Sequence, residues 1–404
     1  MVERNTDPTR RGFLEGGAAV AGGLAFAGCL GGDGSTPDGS GSDGGSDHGS
    51  GNGDGSGGSY TVSMEPMGEV TFDAVPETWV SYKTGYGDVG IALGLADGLV
   101  GMDTAYDELE FMKRRFYDQL PGFELDASGI TNIRADGENI DKEVFYEMDA
   151  DVHLMDPNLP LVYFEWDEAD VREIAENVGP FFGNFNRRER DDSWGEPYKF
   201  YTLYEAFEKV ARVFKREDRY EAFAEIHDEV QSEIEAALPP EGERPSIGLL
   251  NGGSDPAKGE FYAMDPTAKG YEMKQYRDLG IENAFEGVET GQYGLIDYET
   301  LLEVDPEIVI FHWGVTYGRK EFNQRFIDPL VNHEVGKELT AVKEDNLYPG
   351  GTAEQGPVIN LFQTEMLAQQ QYPEQFGEFP GLGETPEETL FDRERVANVV
   401  AGEF

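Results

Sequence analysis

A stretch without glycine or proline in the middle of the chain constrains its fold most. It runs from Thr202 to Leu238 and ends at Pro239-Pro240, where proline stops a helix. Its apolar residues recur at spacings of three and four, which is the period of one helix face. A single helix of this length spans about 55 Å, more than one small lobe needs. The pattern favours a rigid strut that joins two lobes, and a helical hairpin that turns near Arg216-Glu217-Asp218 is the alternative.

On both sides of this stretch, short strand patterns alternate with helical ones, which is typical of α/β lobes with largely parallel sheets. The predicted strands are 70–72, 78–82, 99–102, 152–155, 247–250 and 307–311. The predicted helices are 87–95, 142–148, 167–178, 270–279, 298–304 and 358–371. The predicted fold class is therefore α/β, with two Rossmann-like lobes of mostly parallel sheet joined by one long rigid helix.

The first sixty residues indicate where the protein works. Thr9-Arg10-Arg11-Gly12-Phe13-Leu14 is typical of a twin-arginine export signal, and a small apolar stretch leads from it to the only cysteine, Cys29. The Gly, Ser and Asp residues that follow cannot bury enough apolar surface to fold. We interpret residues 1–29 as a signal with a lipid-attachment site and residues 30–59 as a flexible tether. The expected location is the extracellular face of the cell membrane, with a lipid anchor at Cys29.

The charge of the chain excludes one class of partner. The sequence has 80 acidic and 31 basic residues, a formal net charge of −49, which repels the phosphates of nucleic acids. With 39% hydrophobic and 12% aromatic residues, the chain beyond the tether can still form a core. The expected product is a folded protein with an acidic surface, as in halophiles. Its length suggests two domains, which we place at 60–200 and 241–404, with the bridging helix at 201–240.

Four segments of the chain carry a resemblance to a known family. Asp297–Ile310 resembles the helix, Asp-Pro, strand signature of the second lobe in solute-binding proteins of iron–siderophore and cobalamin ABC importers, and Asp141–Met155 is a degenerate copy of it. Leu279–Phe285 and Ala341–Tyr348 are similar to two further segments of these proteins. The resemblance covers about residues 70 to 400. It implies a ligand cleft between two lobes and delivery of the ligand to ABC permease and ATPase subunits.

The resemblance also implies roles for individual residues. A glutamate on each lobe docks on the permease in this family, and the matching positions are Glu143 and Glu299. Aromatic and arginine side chains suit a large, often anionic chelate, and open α/β sheets bind ligands in the connections after their strands. The candidate ligand-binding residues, for each of which core packing is the alternative, are Tyr82, Tyr86, Trp166, Arg187, Arg188, Tyr262, Tyr293, His312 and Trp313.

The resemblance implies a ferric chelate as the ligand. The five histidines are scattered and form no close pair that suggests a metal site, so iron is expected to arrive already chelated. No intrinsic cofactor is expected, and direct binding of iron by Tyr and His is a minor option. Cobalamin and haem are alternative ligands of the same architecture. An anchored hydrolase and an adhesion protein are weaker alternatives. Gly351–Gly356, for example, contains glycines but lacks the lysine of a phosphate-binding loop.

Overall fold

The structure is a computed structural model, and it describes residues 58–103, 108–134 and 139–404. The predicted export signal with Arg10 and Arg11 and the predicted lipidation site Cys29 lie outside the described residues. Within these three ranges, no helix combines the length and the apolar character that a membrane span requires.

The first lobe contains a hairpin, a parallel sheet and five helices. Its strands are β1 (Tyr60–Met64), β2 (Gly68–Phe72), β3 (Trp79–Ser81), β4 (Leu99–Met102), β5 (Thr131–Asn132) and β6 (Val152–Leu154). Its helices are α1 (Thr84–Ala92), α2 (Glu108–Arg115), α3 (Lys142–Met148), α4 (Leu159–Tyr163) and α5 (Glu168–Asn177). β1 and β2 pair antiparallel, and the other strands form a parallel sheet in the order β5-β4-β3-β6.

Two helices, α6 (Leu203–Val213) and α7 (Glu217–Ala237), lead from the first lobe to the second. The second lobe has the strands β7 (Ile247–Asn251), β8 (Phe261–Tyr262), β9 (Leu295–Ile296), β10 (Ile308–His312) and β11 (Leu347–Pro349). The remaining helices are α8 (Lys274–Asp278), α9 (Tyr298–Val304), α10 (Arg319–Phe322), α11 (Asp328–Asn332), α12 (Thr340–Lys343), α13 (Pro357–Gln371), α14 (Pro373–Phe376) and α15 (Arg393–Ala401). The main sheet is parallel in the order β11-β10-β7. The α/β class with parallel sheets in two lobes is thereby confirmed.

The two lobes contain matching helix–strand units. α3 and α9 both have seven residues, and an aspartate, Asp141 or Asp297, caps each N-terminus by accepting a backbone hydrogen bond. Each helix ends at another aspartate in the left-handed region, Asp149 at φ 46° and Asp305 at φ 44°. Buried strands β6 and β10 follow. The helix bounds 142–148 and 298–304 agree with the sequence prediction, because capping and termination depend on nearby residues.

The prediction of one unbroken helix over 202–238 is wrong. Helix α6 ends at Val213, Lys215 takes φ 54°, and α7 begins at Glu217 without a side-chain cap. Phe207 packs edge-on against Phe223, with ring centroids 5.9 Å apart. The two helices therefore form the helical hairpin that is the alternative prediction. In this arrangement the apolar face of each helix is buried against the other. This burial offsets the roughly 1 kcal/mol cost of a left-handed residue.

Helix α7 connects the lobes and is shorter than the predicted strut. Its length is about 32 Å. Near its start, Arg219 donates to the carbonyls of Leu93 and Val400 at 2.6 and 3.0 Å. Farther along, Gln231 donates to Asp278 of the second lobe at 3.3 Å. The chain then returns, because α13 packs against both α8 and α1, and α15 packs against α1 and α7. The sequence pattern did not predict this second crossing.

One of the hydrophobic clusters spans both lobes. A single cluster of buried side chains includes Trp79 of the first sheet, Phe207 of α6, Ile310 of the second sheet and Val358 of α13. Because close-packed interiors transmit displacement rather than absorb it, this shared core holds the facing surfaces of the lobes in a defined relation. The carboxyl ends of β3, β6 and β11 lead into connections that meet between the lobes, where the candidate site lies.

Candidate functional site

A small cavity lies between the two lobes, and its volume is about 30 Å³. Its walls come from both lobes, and the lining residues are Tyr82, Lys83, Tyr86, Met155, Asp156, Leu159, Asn184, Phe185, Asn186, Arg187, Tyr271 and Glu354. Three phenols, two amides and four charged groups are thus collected around a space with room for a few water molecules. Aromatic surface and polar groups from both lobes meet at this place.

The first-lobe wall is formed by residues that directly follow strands. Lys83 comes after β3, and its ammonium lies 3.0 Å from the carboxylate of Asp103, which follows β4. Arg134 approaches the same carboxylate at 3.1 Å. Asp103 is fully buried, so it needs these cations, because an isolated charge in the interior is costly. Tyr82 stands beside Lys83, and burial raises the pKa of its phenol to about 12. This phenol is therefore neutral at physiological pH.

Asp156 and Tyr86 are held by the segment after residue 180. Asp156 accepts hydrogen bonds from the backbone N–H of Phe185 at 2.7 Å and from the Tyr198 hydroxyl at 2.6 Å. Burial raises the pKa of this carboxyl group, and these two hydrogen bonds partly offset the shift. The Tyr86 hydroxyl accepts from the N–H of Asn184 at 2.8 Å. The segment is thus fixed against the sheet. This sets the position of Arg187, which lies two residues after Phe185.

Arg187 crosses from the first lobe to two carboxylates of the second lobe. Its Nε lies 3.0 Å from Glu272 and its Nη1 lies 2.8 Å from Glu354. The Tyr271 hydroxyl donates to the other oxygen of Glu354 at 2.6 Å. We call Arg187, Glu272, Glu354, Tyr271 and His312 the inter-lobe network. All are mostly shielded from water, so screening of these charges by salt is weaker than at the surface.

His312 is the inner member of the inter-lobe network. Its Nε2 lies 3.2 Å from Glu272, and its Nδ1 lies 2.9 Å from the Tyr276 hydroxyl. Burial alone raises the pKa of Glu272, but Arg187 and His312 outweigh it and bring the pKa to about 2. Glu272 is therefore a carboxylate at any physiological pH, and it has partners on both sides.

Backbone contacts reinforce this closure. The N–H of Tyr271 donates to Asn186 O at 3.0 Å, and the N–H of Glu272 donates to Arg187 O at 3.1 Å. Gly270, at φ 109°, permits this approach, since a Cβ there would lie 2.0 Å from the carbonyl oxygen of Arg187. A side chain at Gly85 would meet the Tyr271 hydroxyl at 2.7 Å. The backbones of the two lobes are therefore in direct contact.

The network predicts a loss of stability in acid. The pKa of Glu272 in the folded protein, about 2, lies below its ordinary value of 4.5. Its contribution is therefore complete above about pH 5 and is lost as pH falls toward 2, an effect on the order of 3 kcal/mol. Thermal unfolding between pH 6 and pH 2.5 in constant salt should show a steeper decline for the native protein than for Glu272→Gln. Parallel curves would contradict the assignment.

Three of the candidate ligand-binding residues, Tyr82, Tyr86 and Arg187, line the cavity. His312 is fully buried behind Glu272. Trp313 adjoins it in the left-handed region at φ 68°, and its buried indole Nε1 has no hydrogen-bond partner among the described residues. Neither residue lines the cavity.

The other four candidates lie elsewhere. Trp166 donates to Ile140 O at 2.8 Å and packs on Phe145 in the first-lobe core. Arg188 is exposed and donates to the Tyr163 hydroxyl at 3.1 Å. The remaining two, neither of which lines the cavity, are the partly buried Tyr262 and the 52% exposed Tyr293.

Glu143 and Glu299 occupy the same place in the matching units. Each lies in the first turn of its helix, α3 or α9, beside the capping aspartate. Both side chains are exposed. A carboxylate at this end of a helix interacts favourably with the helix dipole.

Sequence reasoning missed the acidic half of the site. Glu272 and Glu354 lie 85 and 167 residues after Arg187, too far for any local pattern to pair them. One usable signal was the position of Glu354 in the connection after a buried strand, where side chains of parallel sheets meet. Among the described residues, no group of three His, Cys, Asp or Glu is arranged to hold a metal ion.

Comparisons with known proteins agree with this architecture. A sequence model of the family described as periplasmic binding protein matches residues 169–352. The iron uptake ABC transporter substrate-binding protein PiuA from Streptococcus pneumoniae has a similar structure. It is 16% identical, with 77% of this chain and 97% of that chain covered and a TM-score of 0.52.

Two further solved structures are similar. For a periplasmic binding protein from Veillonella parvula, the identity is 15%, the coverage is 80% of this chain and 94% of that chain, and the TM-score is 0.54. For the petrobactin-binding protein YclQ from Bacillus subtilis, the identity is 13%, the coverage is 77% of this chain and 96% of that chain, and the TM-score is 0.50. No curated protein shows significant sequence similarity to the chain. The chain therefore has the two-lobed α/β fold of the periplasmic binding proteins, and its residues 169–352 match that family's sequence model.

Proposed function

We propose that this protein is a solute-binding protein of an ABC importer, which captures a ferric siderophore-type chelate and delivers it to a membrane permease. The observation that carries the proposal is the cavity between the lobes, with Tyr82, Tyr86 and Arg187 in its walls. Phenols and a guanidinium supply wide contact area and charge-matched hydrogen bonds for an anionic chelate. The shared fold with the iron uptake protein PiuA and the petrobactin-binding protein YclQ supports the same ligand class.

Binding of a chelate requires the lobes to move apart. The cavity of about 30 Å³ is far smaller than the roughly 300 to 1,000 Å³ of sites for organic ligands. The contacts that close it are hydrogen bonds and ion pairs, which a ligand with suitable groups can replace one for one. The proposal therefore includes a modest opening in which Arg187 parts from Glu354.

Binding to ferric complexes tests this function. Titration with a ferric tris-catecholate, followed by tryptophan fluorescence and thermal shift, should give saturable binding and a higher unfolding temperature, since a ligand that binds only the folded state stabilises it. The metal-free catecholate is the matched control and should bind at least tenfold more weakly, because it lacks the compact chelate shape. Binding of cobalamin or haem with no response to ferric complexes would replace the proposed ligand with those alternatives, and turnover of the ligand would refute the binding role.

The proposed setting is the outer face of a cell membrane in a salty environment. The supporting observations are the Arg10-Arg11 signal, Cys29 and the −49 net charge. We propose that the Gly/Ser-rich stretch after Cys29 keeps the protein near a permease in the same membrane. Mass spectrometry of the protein extracted from membranes checks the anchor, because a lipid on Cys29 adds a defined mass to the N-terminal peptide.

A further inference from the structure

The segment from Gly350 to Gly356 passes between the lobes and is held at both ends. On the second lobe, the N–H of Gly350 donates to Phe311 O at 2.7 Å, and Gly351 O accepts from the N–H of Trp313 at 2.6 Å. On the first lobe, a Cβ at Gly356 would lie 2.8 Å from Asp88 and 2.9 Å from Gly85 O. The middle of the segment carries Glu354, which is only 6% exposed and forms part of the cavity wall.

Two carboxylates in this region share one guanidinium. Glu272 contacts Arg187 and is also held by His312 at 3.2 Å. Glu354 contacts the same Arg187 and also accepts a hydrogen bond from the phenol of Tyr271. Glu354 lines the cavity, whereas Glu272 is not among the lining residues and lies between Arg187 and His312. A ligand that enters the cavity therefore meets Glu354 first, and Arg187 keeps Glu272 as a counter-charge when Glu354 leaves.

We propose that Glu354 is a specificity-determining residue that occupies the anion position of the cleft. An anionic group of the ligand replaces the Glu354 carboxylate on Arg187 and takes over its hydrogen bond. A neutral ligand has no anionic group to place on Arg187, so it cannot displace Glu354 from the guanidinium. The inference rests on the proposed function and narrows its ligand class to chelates that carry at least one free anionic group.

The first test needs no ligand. Spin labels at Glu147→Cys and Glu303→Cys, exposed positions of α3 and α9, report the distance between the lobes in the full chain with Cys29→Ser. Glu354→Gln keeps the size of the side chain but removes its charge, so the distance distribution should broaden or lengthen. Glu344→Gln, an exposed glutamate of the second lobe, is the matched control and should leave it unchanged. An unchanged distribution in Glu354→Gln overturns the inference.

The second test compares two probes that differ in charge. Ferric tris-catecholate is anionic, whereas a ferric trihydroxamate is neutral. Glu354→Gln should bind the anionic complex roughly tenfold more tightly than the native protein does, because no carboxylate competes for Arg187. It should also bind the neutral complex better than the native protein does. The preference for the anionic probe over the neutral one should therefore be smaller in the variant than in the native protein.

The outcomes separate the two proposals. A lower affinity of Glu354→Gln for the anionic complex would overturn the inference, since Glu354 would then contribute to binding. If neither iron complex binds the native protein or the variant, the proposed ligand class fails. The spin-label distances still decide in that case whether Glu354 closes the cleft.

Discussion

Reversing the charge of Glu143 and Glu299 together should abolish delivery of the ligand while its affinity for the protein stays unchanged. The two carboxylates lie in the first turns of matching helices, one on each lobe, exposed and away from the cavity. Two lost ion pairs and two new repulsions with a basic permease surface should reduce uptake roughly 100-fold or more. Reconstituted importer in vesicles, supplied with the ferric chelate, measures this directly.

A matched pair of substitutions controls for the change in overall charge. Glu168 and Glu394 are also exposed and lie in the first turns of α5 and α15. Converting both to arginine alters the net charge and the helix ends equally but leaves the proposed docking positions intact, so uptake should persist. Equal loss of uptake in both double variants would mean that general charge attraction, rather than these two positions, brings the protein to the permease.

Replacing Arg187 with methionine should produce the largest loss of stability of any single change at the cleft. It leaves the carboxylates of Glu272 and Glu354, 5% and 6% exposed, without their shared cation. Breaking a buried ion pair in this way costs about 3–5 kcal/mol, which corresponds to roughly 5 °C in the unfolding temperature of a protein this size. Calorimetry in molar salt, where the acidic surface is screened, measures the shift.

A triple variant shows whether the loss comes from the stranded charges. Arg187→Met combined with Glu272→Gln and Glu354→Gln removes both carboxylates along with the guanidinium. Because replacing a buried ion pair completely is often nearly neutral, the triple variant should recover most of the lost stability. If it stays as unstable as Arg187→Met alone, the packing of the arginine stem, not its charge, holds the lobes together.

The features that could be predicted from the sequence are those fixed by near neighbours. Helices 142–148 and 298–304 follow from a capping aspartate and a short apolar pattern, and the structure has the same bounds. The break at Lys215 carries no glycine or proline and depends on contacts such as Phe207 with Phe223. No local pattern contains that information, so the hairpin could only be an alternative.

The same distinction applies to the site. Arg187 stood out because basic residues are scarce in an acidic chain, and the structure brings it to the cavity. Trp166 stood out equally as an aromatic residue, yet it packs in the first-lobe core. Aromatic side chains serve cores and ligands alike, so residue type alone cannot separate the two roles. Burial and partners, which are set by the whole fold, decide between them.

The double crossing of the chain restricts how the lobes can move. Helix α7 leads from one lobe to the other, and α13 bridges back. Two separated connections define a line, and rotation about that line is the relative motion that stretches neither of them. Each point then travels in proportion to its distance from this axis, so a small change in angle at the cavity becomes a definite change in the spacing of Glu143 and Glu299. A permease that binds both glutamates would distinguish by that spacing whether the cleft is filled.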